Sequence, residues 1–281
     1  MSARQGLVLS LPAVLFLALA FVYPFGYGLF LSVTPRTGGP LANYAAFFGD
    51  EFQRASIGNT FALALPAALL CVLLAVPLAY RMRHGLRGER VLTALLVVPV
   101  TLGPVFIADA MLFYFGPVGW FNRTLESLHL IDAPVRLLHT YGAVLLAIML
   151  TAFPFAFLLM LGYVSGIDPA LERAAHMLGA GRWQTFRRVL LPLMAPGIAT
   201  AFALTFVLAF GVFPSAVLLG EPGGSTRVLS IAAFQAAYER FDFSAGSAIA
   251  LVMGALQLAL IGLVFALRAR LYAGPARGGK G

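Results

Sequence analysis

Between Ser165 and Pro196 an otherwise apolar chain gathers Asp168, Glu172, Arg173, His176, Arg182, Arg187 and Arg188, interleaved with Leu171, Met177, Leu178, Trp183 and Phe186. Charged rims around apolar centres are how protein surfaces recognise partners, so the chemistry offered here is docking. Bond-breaking chemistry is not arranged for. Lys280 is the only lysine, and no G-x-x-x-x-G-K-[ST] phosphate loop exists to hold a nucleotide. His84, His129, His139 and His176 are scattered without an H-E-x-x-H or other close ligand pair, which argues against a metal site. No G-x-S-x-G turn presents a serine for attack, so no catalytic residue is assigned.

Asp109 is the only formal charge placed inside an apolar run. A carboxylate in hydrocarbon costs about 2.5 kcal/mol or more, so it must face a cavity, a partner or water. One reading makes it a ligand for a cationic or hydroxyl-rich solute; the other has it reach interfacial water or cap a helix interrupted near Gly103-Pro104. Asn59, Tyr114, Phe210, Phe213 and Ser215 are its candidate companions along a translocation path, with packing the favoured reading of each.

These residues must be positioned by a membrane protein. The 281 residues are 60% hydrophobic and 11% charged, with a mean hydropathy of +0.91, far from soluble usage. Apolar runs of spanning length predict six transmembrane helices: Leu7–Val33, Phe61–Tyr80, Val91–Phe115, Tyr141–Ser165, Ala195–Leu219 and Gly246–Leu267. The fold class is therefore all-α and polytopic. The first run is too long, and lacks a small-residue cleavage site, for a removable leader. The external stretch Gly116–Thr140 carries Trp120, Phe121, Leu125, Leu128 and Leu130, which fits either an interfacial helix or an ordered loop. Cys71 stands alone in an apolar run, so no disulfide framework is available.

The +8 formal charge is a topology signal rather than a nucleic-acid footprint, because the arginines cluster at span ends and form no basic face. One set of flanks holds thirteen basic residues (Arg4, Arg81, Arg83, Arg87, Arg90, Arg173, Arg182, Arg187, Arg188, Arg268, Arg270, Arg277 and Lys280) against Glu89, Asp168 and Glu172. The opposite loops hold six (Arg36, Arg54, Arg123, Arg136, Arg227 and Arg240) against seven acids. The positive-inside rule puts the first set, both termini and the 166–194 loop in the cytoplasm.

The loop builds locally into two short helices. Asp168 can accept from the free N–H groups of a first turn, and Pro169 loses nothing at the first helical position. Leu171, Ala174, Ala175 and Leu178 then share one face, and Gly179 ends the helix in the left-handed conformation. A second helix carries Trp183, Phe186 and Leu190, with Arg182, Arg187 and Arg188 on its other side; Pro192 and Pro196 end it or bend the chain into the fifth span.

With these residues in place, the chain resembles the transmembrane permease subunits of binding-protein-dependent ABC importers. Their signature runs Glu-Ala-Ala, three residues, Gly, nine residues, then aliphatic-x-Leu-Pro; here Ala174, Ala175, Gly179, Val189, Leu191 and Pro192 fall on it at intact spacing. Arg173 occupies the signature glutamate's position and the acid is displaced to Glu172. The likeness extends to Asn59-Thr60, Pro99, Pro104, Phe210, Phe213 and Pro214, and is nearest to the polyamine, thiamine and iron branch.

The resemblance implies one membrane domain over residues 1–281, a core permease region 59–270, a cytoplasmic coupling loop 166–194, and a frayed tail 273–281. Leu171, Glu172, Arg173, Ala174, Ala175, Met177, Leu178, Gly179, Trp183, Phe186 and Pro192 are then the ATPase-coupling residues. It further implies two ATPase subunits carrying ATP and magnesium, a second permease of the same or another sequence, an external solute-binding protein, and residence in a bacterial or archaeal cytoplasmic membrane. No cofactor is expected on this chain and no nucleic acid. The expected solute is small and charged, polyamine-like, with a sugar as the alternative. Outside the family, an ATP-independent carrier or channel explains the hydropathy equally well but not the capped loop. The loop has a plainer reading too, its arginines resting on anionic lipid.

Overall fold

The computed structural model describes residues 11–12, 14–83, 85 and 88–271. Arg4, His84, Arg87, Arg277, Lys280, the start of the first predicted span and the 273–281 tail lie outside the described residues. Every regular element is helical, and six helices are long and apolar enough to cross a membrane: Val14–Ser32, Glu51–Met82, Glu89–Phe115, Tyr141–Ser165, Arg182–Phe210 and Phe243–Arg270.

The chain divides into two compact units, residues 1–58 with 229–256 and residues 59–228 with 257–281. In the first unit, polar side chains tie the end of the first span to the start of the sixth. Ser244 Oγ donates to the carbonyls of Leu31 and Thr34, Asn43 Nδ2 donates to Ser244 Oγ at 2.6 Å, and Tyr44 donates to Ser32 Oγ at 2.9 Å. Arg36 adds an ion pair to Asp242 and a hydrogen bond to the Phe241 carbonyl.

The second unit is built on the second, fourth and fifth spans. Cys71, Ala75, Ala79 and Met82 meet Ala152, Ala156, Phe157 and Met160, closed by Leu190, Met194 and Ala201. Small residues let helix backbones approach closely where the surrounding lipid supplies no hydrophobic drive for association. The limit is reached at Gly197, where a Cβ would stand 2.5 Å from Tyr163 Cγ. The third span leaves Val91, Leu95, Phe106 and Phe113 exposed, a face that nothing in this chain covers among the described residues.

Three boundaries differ from the sequence expectation. The fifth span ends at Phe210, not Leu219: Pro214 drives Phe213 out of helical geometry (φ −134°), and Pro214–Leu219 forms a separate short helix. The second loop helix is not separate either. Helix Arg182–Phe210 runs on through a π-turn at Phe186–Leu190, whose widened loop bonds the Leu191 N–H to the Phe186 carbonyl immediately before Pro192, which has no N–H to give. The second span begins at Glu51 rather than Phe61. Between the third and fourth spans, Trp120–Ser127 is a two-turn helix with Trp120 exposed. Asn122 in this helix is buried, bonding Gly116 and Val135.

Candidate functional sites

The helix Pro169–Met177 forms as its local sequence dictates. Asp168 Oδ1 accepts from the Ala170 N–H at 2.8 Å, and Pro169 occupies the first turn. Gly179 takes φ +83°, which lets the Ala180 N–H reach the Ala175 carbonyl and the Gly179 N–H reach the His176 carbonyl, both at 3.0 Å. A helix closed at both ends this way is rigid over its whole length. His176 Nδ1 donates to the Ala180 carbonyl and braces the same turn.

Its side chains separate into three directions. Ala175 and Glu172 are buried. Leu171, Ala174, Met177 and Leu178 are exposed, with Leu178 at 89% and Met177 at 83%. Pro169, Glu172, Arg173 and His176, spaced i, i+3, i+4, i+7, line a cavity of about 840 Å³ with Tyr80, Arg81, Arg83, Arg182, Trp183 and Phe186. The predicted single face of Leu171, Ala174, Ala175 and Leu178 is therefore split, because Ala175 packs inward.

Glu172 is also not an outward coupling contact. Its Oε1 lies 2.5 Å from Arg83 Nη1, and the same guanidinium donates to the Ile167 carbonyl. Both side chains are nearly enclosed, 11% and 7% exposed. Sequence position marks Arg83 only as a topology charge, since no local pattern joins it to an acid 89 positions away. Arg173 remains exposed. Phe186 is half-buried rather than projecting, its ring 5.3 Å from that of Tyr80 and 5.8 Å from Trp183. Pro192 lies in the first turn of the helix Leu191–Phe210 and is exposed.

A second site lies where two spans break. Gly103 adopts φ 75° and ψ 161° inside the third span, ahead of Pro104, and Gly211–Phe213 interrupts the chain after the fifth. Together they border a cavity of about 270 Å³, with Thr151 and Phe155 of the fourth span and Ser215 of the short helix. Broken membrane helices place irregular backbone beside a cavity because its polar groups need partners that lipid cannot supply.

The six path candidates do not converge there. Phe213 and Ser215 line this cavity. Phe210 is fully buried, its ring 5.1 Å from both Phe61 and Phe206. Asn59 Nδ2 donates to the Arg227 carbonyl, which makes it a structural tie to the loop that follows the short helix Pro214–Leu219. Asp109 and Tyr114 are exposed on the third span, away from the cavity. Among the described residues no group of histidine, cysteine, aspartate and glutamate is placed to hold a metal ion.

Comparison with known proteins gives concordant results. Residues 72–274 match the family described as binding-protein-dependent transport system inner membrane component. The chain is 26% identical to the trehalose transport system permease SugA of Mycobacterium tuberculosis, over 99% of this chain and 91% of that one. It is 29% identical to the spermidine/putrescine permease PotB of Haemophilus influenzae, over 75% and 72%. It is 28% identical to a probable sulfate permease, cysT, of Prototheca wickerhamii, over 76% and 83%. In fold it is similar to a chain of a bacterial alginate ABC transporter in complex with an alginate pentasaccharide-bound periplasmic protein, at TM-score 0.82 and 20% identity over 96% of each chain.

Proposed function

The chain belongs to the family of binding-protein-dependent transport system inner membrane components, permeases of ABC importers that work coupled to an ATPase, and from that premise we propose that residues 166–194 are its ATPase-docking element. That membership sets aside the ATP-independent carrier. The observation that carries the proposal is the pairing of a capped, rigid helix with large apolar side chains left in the open: Leu171, Met177 and Leu178. Exposed apolar groups on a rigid element supply contact area, and the rigidity transmits displacement to the spans on either side. Ala174 and Gly179 belong to this face and its closure. Arg187 and Arg188 form its charged surround, whereas Arg173, Arg182 and Trp183 line a hollow on another side of the helix. Glu172, Ala175 and Phe186 hold the loop to the spans rather than touch the partner.

The loop and both termini lie in the cytoplasm, on the strength of the arginine asymmetry between flanks. Two ATPase subunits, which bind ATP and magnesium, dock from that side. A second permease, a copy or a related chain, covers the exposed face of the third span and completes the path; a solute-binding protein delivers cargo outside.

Relatives of this chain are named for sulfate, polyamine and trehalose transport. The likenesses that run the full length of the chain are to the trehalose permease and, in fold, the alginate transporter, whereas the polyamine likeness spans three quarters. That supports the saccharide alternative over the polyamine-like solute first expected. Asp109, exposed in a span, then lies toward the second permease as a hydroxyl-binding carboxylate in the path.

The test is Leu171→Glu with Leu178→Glu in the assembled importer. The expected result is normal membrane insertion, loss of the ATPase on purification and loss of uptake. An intact complex with normal uptake would sink the docking assignment. Competition of wild-type uptake by oligosaccharide against spermidine decides the solute class.

A further inference from the structure

The 840 Å³ cavity between the end of the second span and the loop is not explained by ATPase docking. It lies on a different side of helix Pro169–Met177 from Leu171 and Leu178, so a protein seated on those leucines leaves it free. Its composition is uneven. Arg83 is neutralised by Glu172, but Arg81, Arg173 and Arg182 make no ion pair among the described residues. Three positive charges converge on one hollow with no counter-charge of their own. The lining is also aromatic: Tyr80, Phe186 and Trp183 stand in succession at centroid distances of 5.3 and 5.8 Å.

From this arrangement we infer that the cavity is a binding site for the headgroup of an anionic phospholipid. The ligand chemistry is a phosphate monoanion or diester, which arginine binds through paired N–H donors. Its source is the bilayer because of where the cavity sits. Tyr80 and Arg81 belong to the last turns of the second span, and Phe186 to the first turns of the helix that becomes the fifth. A hollow at the end of a span's apolar run suits the headgroup region, where tyrosine and tryptophan settle with one side apolar and the other wet. Basic pockets between span ends on the cytoplasmic side suit anionic headgroups, each arginine contributing about 1 kcal/mol. The volume falls within the usual range of small-molecule sites, about 300 to 1,000 Å³. A lipid seated there braces the loop against the second span from the side opposite the ATPase.

The site is tested on the purified full chain in nanodiscs, by native mass spectrometry with phosphatidylglycerol titrated against phosphatidylcholine. Wild type is expected to retain phosphatidylglycerol selectively. Arg173→Gln with Arg182→Gln should weaken it about thirty-fold, and Arg81→Gln should weaken it independently. Arg187→Gln with Arg188→Gln removes the same charge from exposed positions outside the cavity and should leave retention unchanged. Equal loss in both double variants would reduce the effect to general surface charge and overturn the site. Inorganic phosphate or glycerol 3-phosphate binding as tightly as the lipid would overturn the bilayer as the source. The readout involves neither ATPase nor uptake, so its failure leaves the docking proposal standing.

Discussion

Arg83 and Glu172 face each other across 2.5 Å, joining the C-terminal end of the second span to the first turn of the loop helix. With Arg83 also holding the Ile167 carbonyl, the loop is fastened to that span at two points, and movement of one must be felt by the other. That is a mechanical link inside the permease, distinct from the surface it shows to its partner.

Glu172→Gln leaves a nearly enclosed guanidinium without its carboxylate, and removing one member of a buried pair costs about 3–5 kcal/mol. The melting temperature of the purified chain should fall clearly, and uptake per ATP hydrolysed should fall further. Exchanging the two, Arg83→Glu with Glu172→Arg, should recover part of both; no recovery would mean that the pair is not the source of the effect.

Gly179→Val forces a branched side chain to φ +83°, at a cost of about 1–2 kcal/mol. Nothing lies within 4 Å of a Cβ there, so the penalty is conformational and not steric. Gly179→Asn, which tolerates that region, should keep most of the transport that valine loses in reconstituted importer. Indistinguishable behaviour of the two would contradict this account.

Gly103 sits at φ 75° and ψ 161°, a region essentially closed to other residues. Gly103→Ala should cost about 1–3 kcal/mol or straighten the third span. Either way the nearby cavity changes shape, and solute flux should drop at unchanged membrane abundance; full flux would show that the break plays no part in the path.

Gly197→Ala places a methyl group into Tyr163. Overpacking of this kind costs about 1–3 kcal/mol, so detergent-purified variant should melt earlier than wild type. Equal melting would mean that the fourth and fifth spans separate freely at this point.

Asp109→Asn should raise the KM for solute ten-fold or more, about 1.5–3 kcal/mol for one lost charged hydrogen bond, while leaving solute-independent ATP hydrolysis unchanged. Identical uptake kinetics would return the carboxylate to a role at interfacial water.

The sequence alone determined whatever depends on near neighbours along the chain. Six runs of apolar residues long enough to cross a bilayer had to become six helices, since unpaired backbone is not tolerated in lipid. The same holds for the loop helix, because Asp168, Pro169 and Gly179 each act within a turn of themselves. Only the tertiary structure decided which way side chains face once the helices pack. It turned Glu172 inward to an arginine distant in sequence, drew Phe210 into the core beside Phe61, and left Leu178 in the open. It also ended the fifth span at Phe210, since apolar content cannot register the one residue that Pro214 forces out of helical geometry. Helical spacing permits several faces equally, and the choice among them is made by the shape and charge of distant segments, which no local pattern contains.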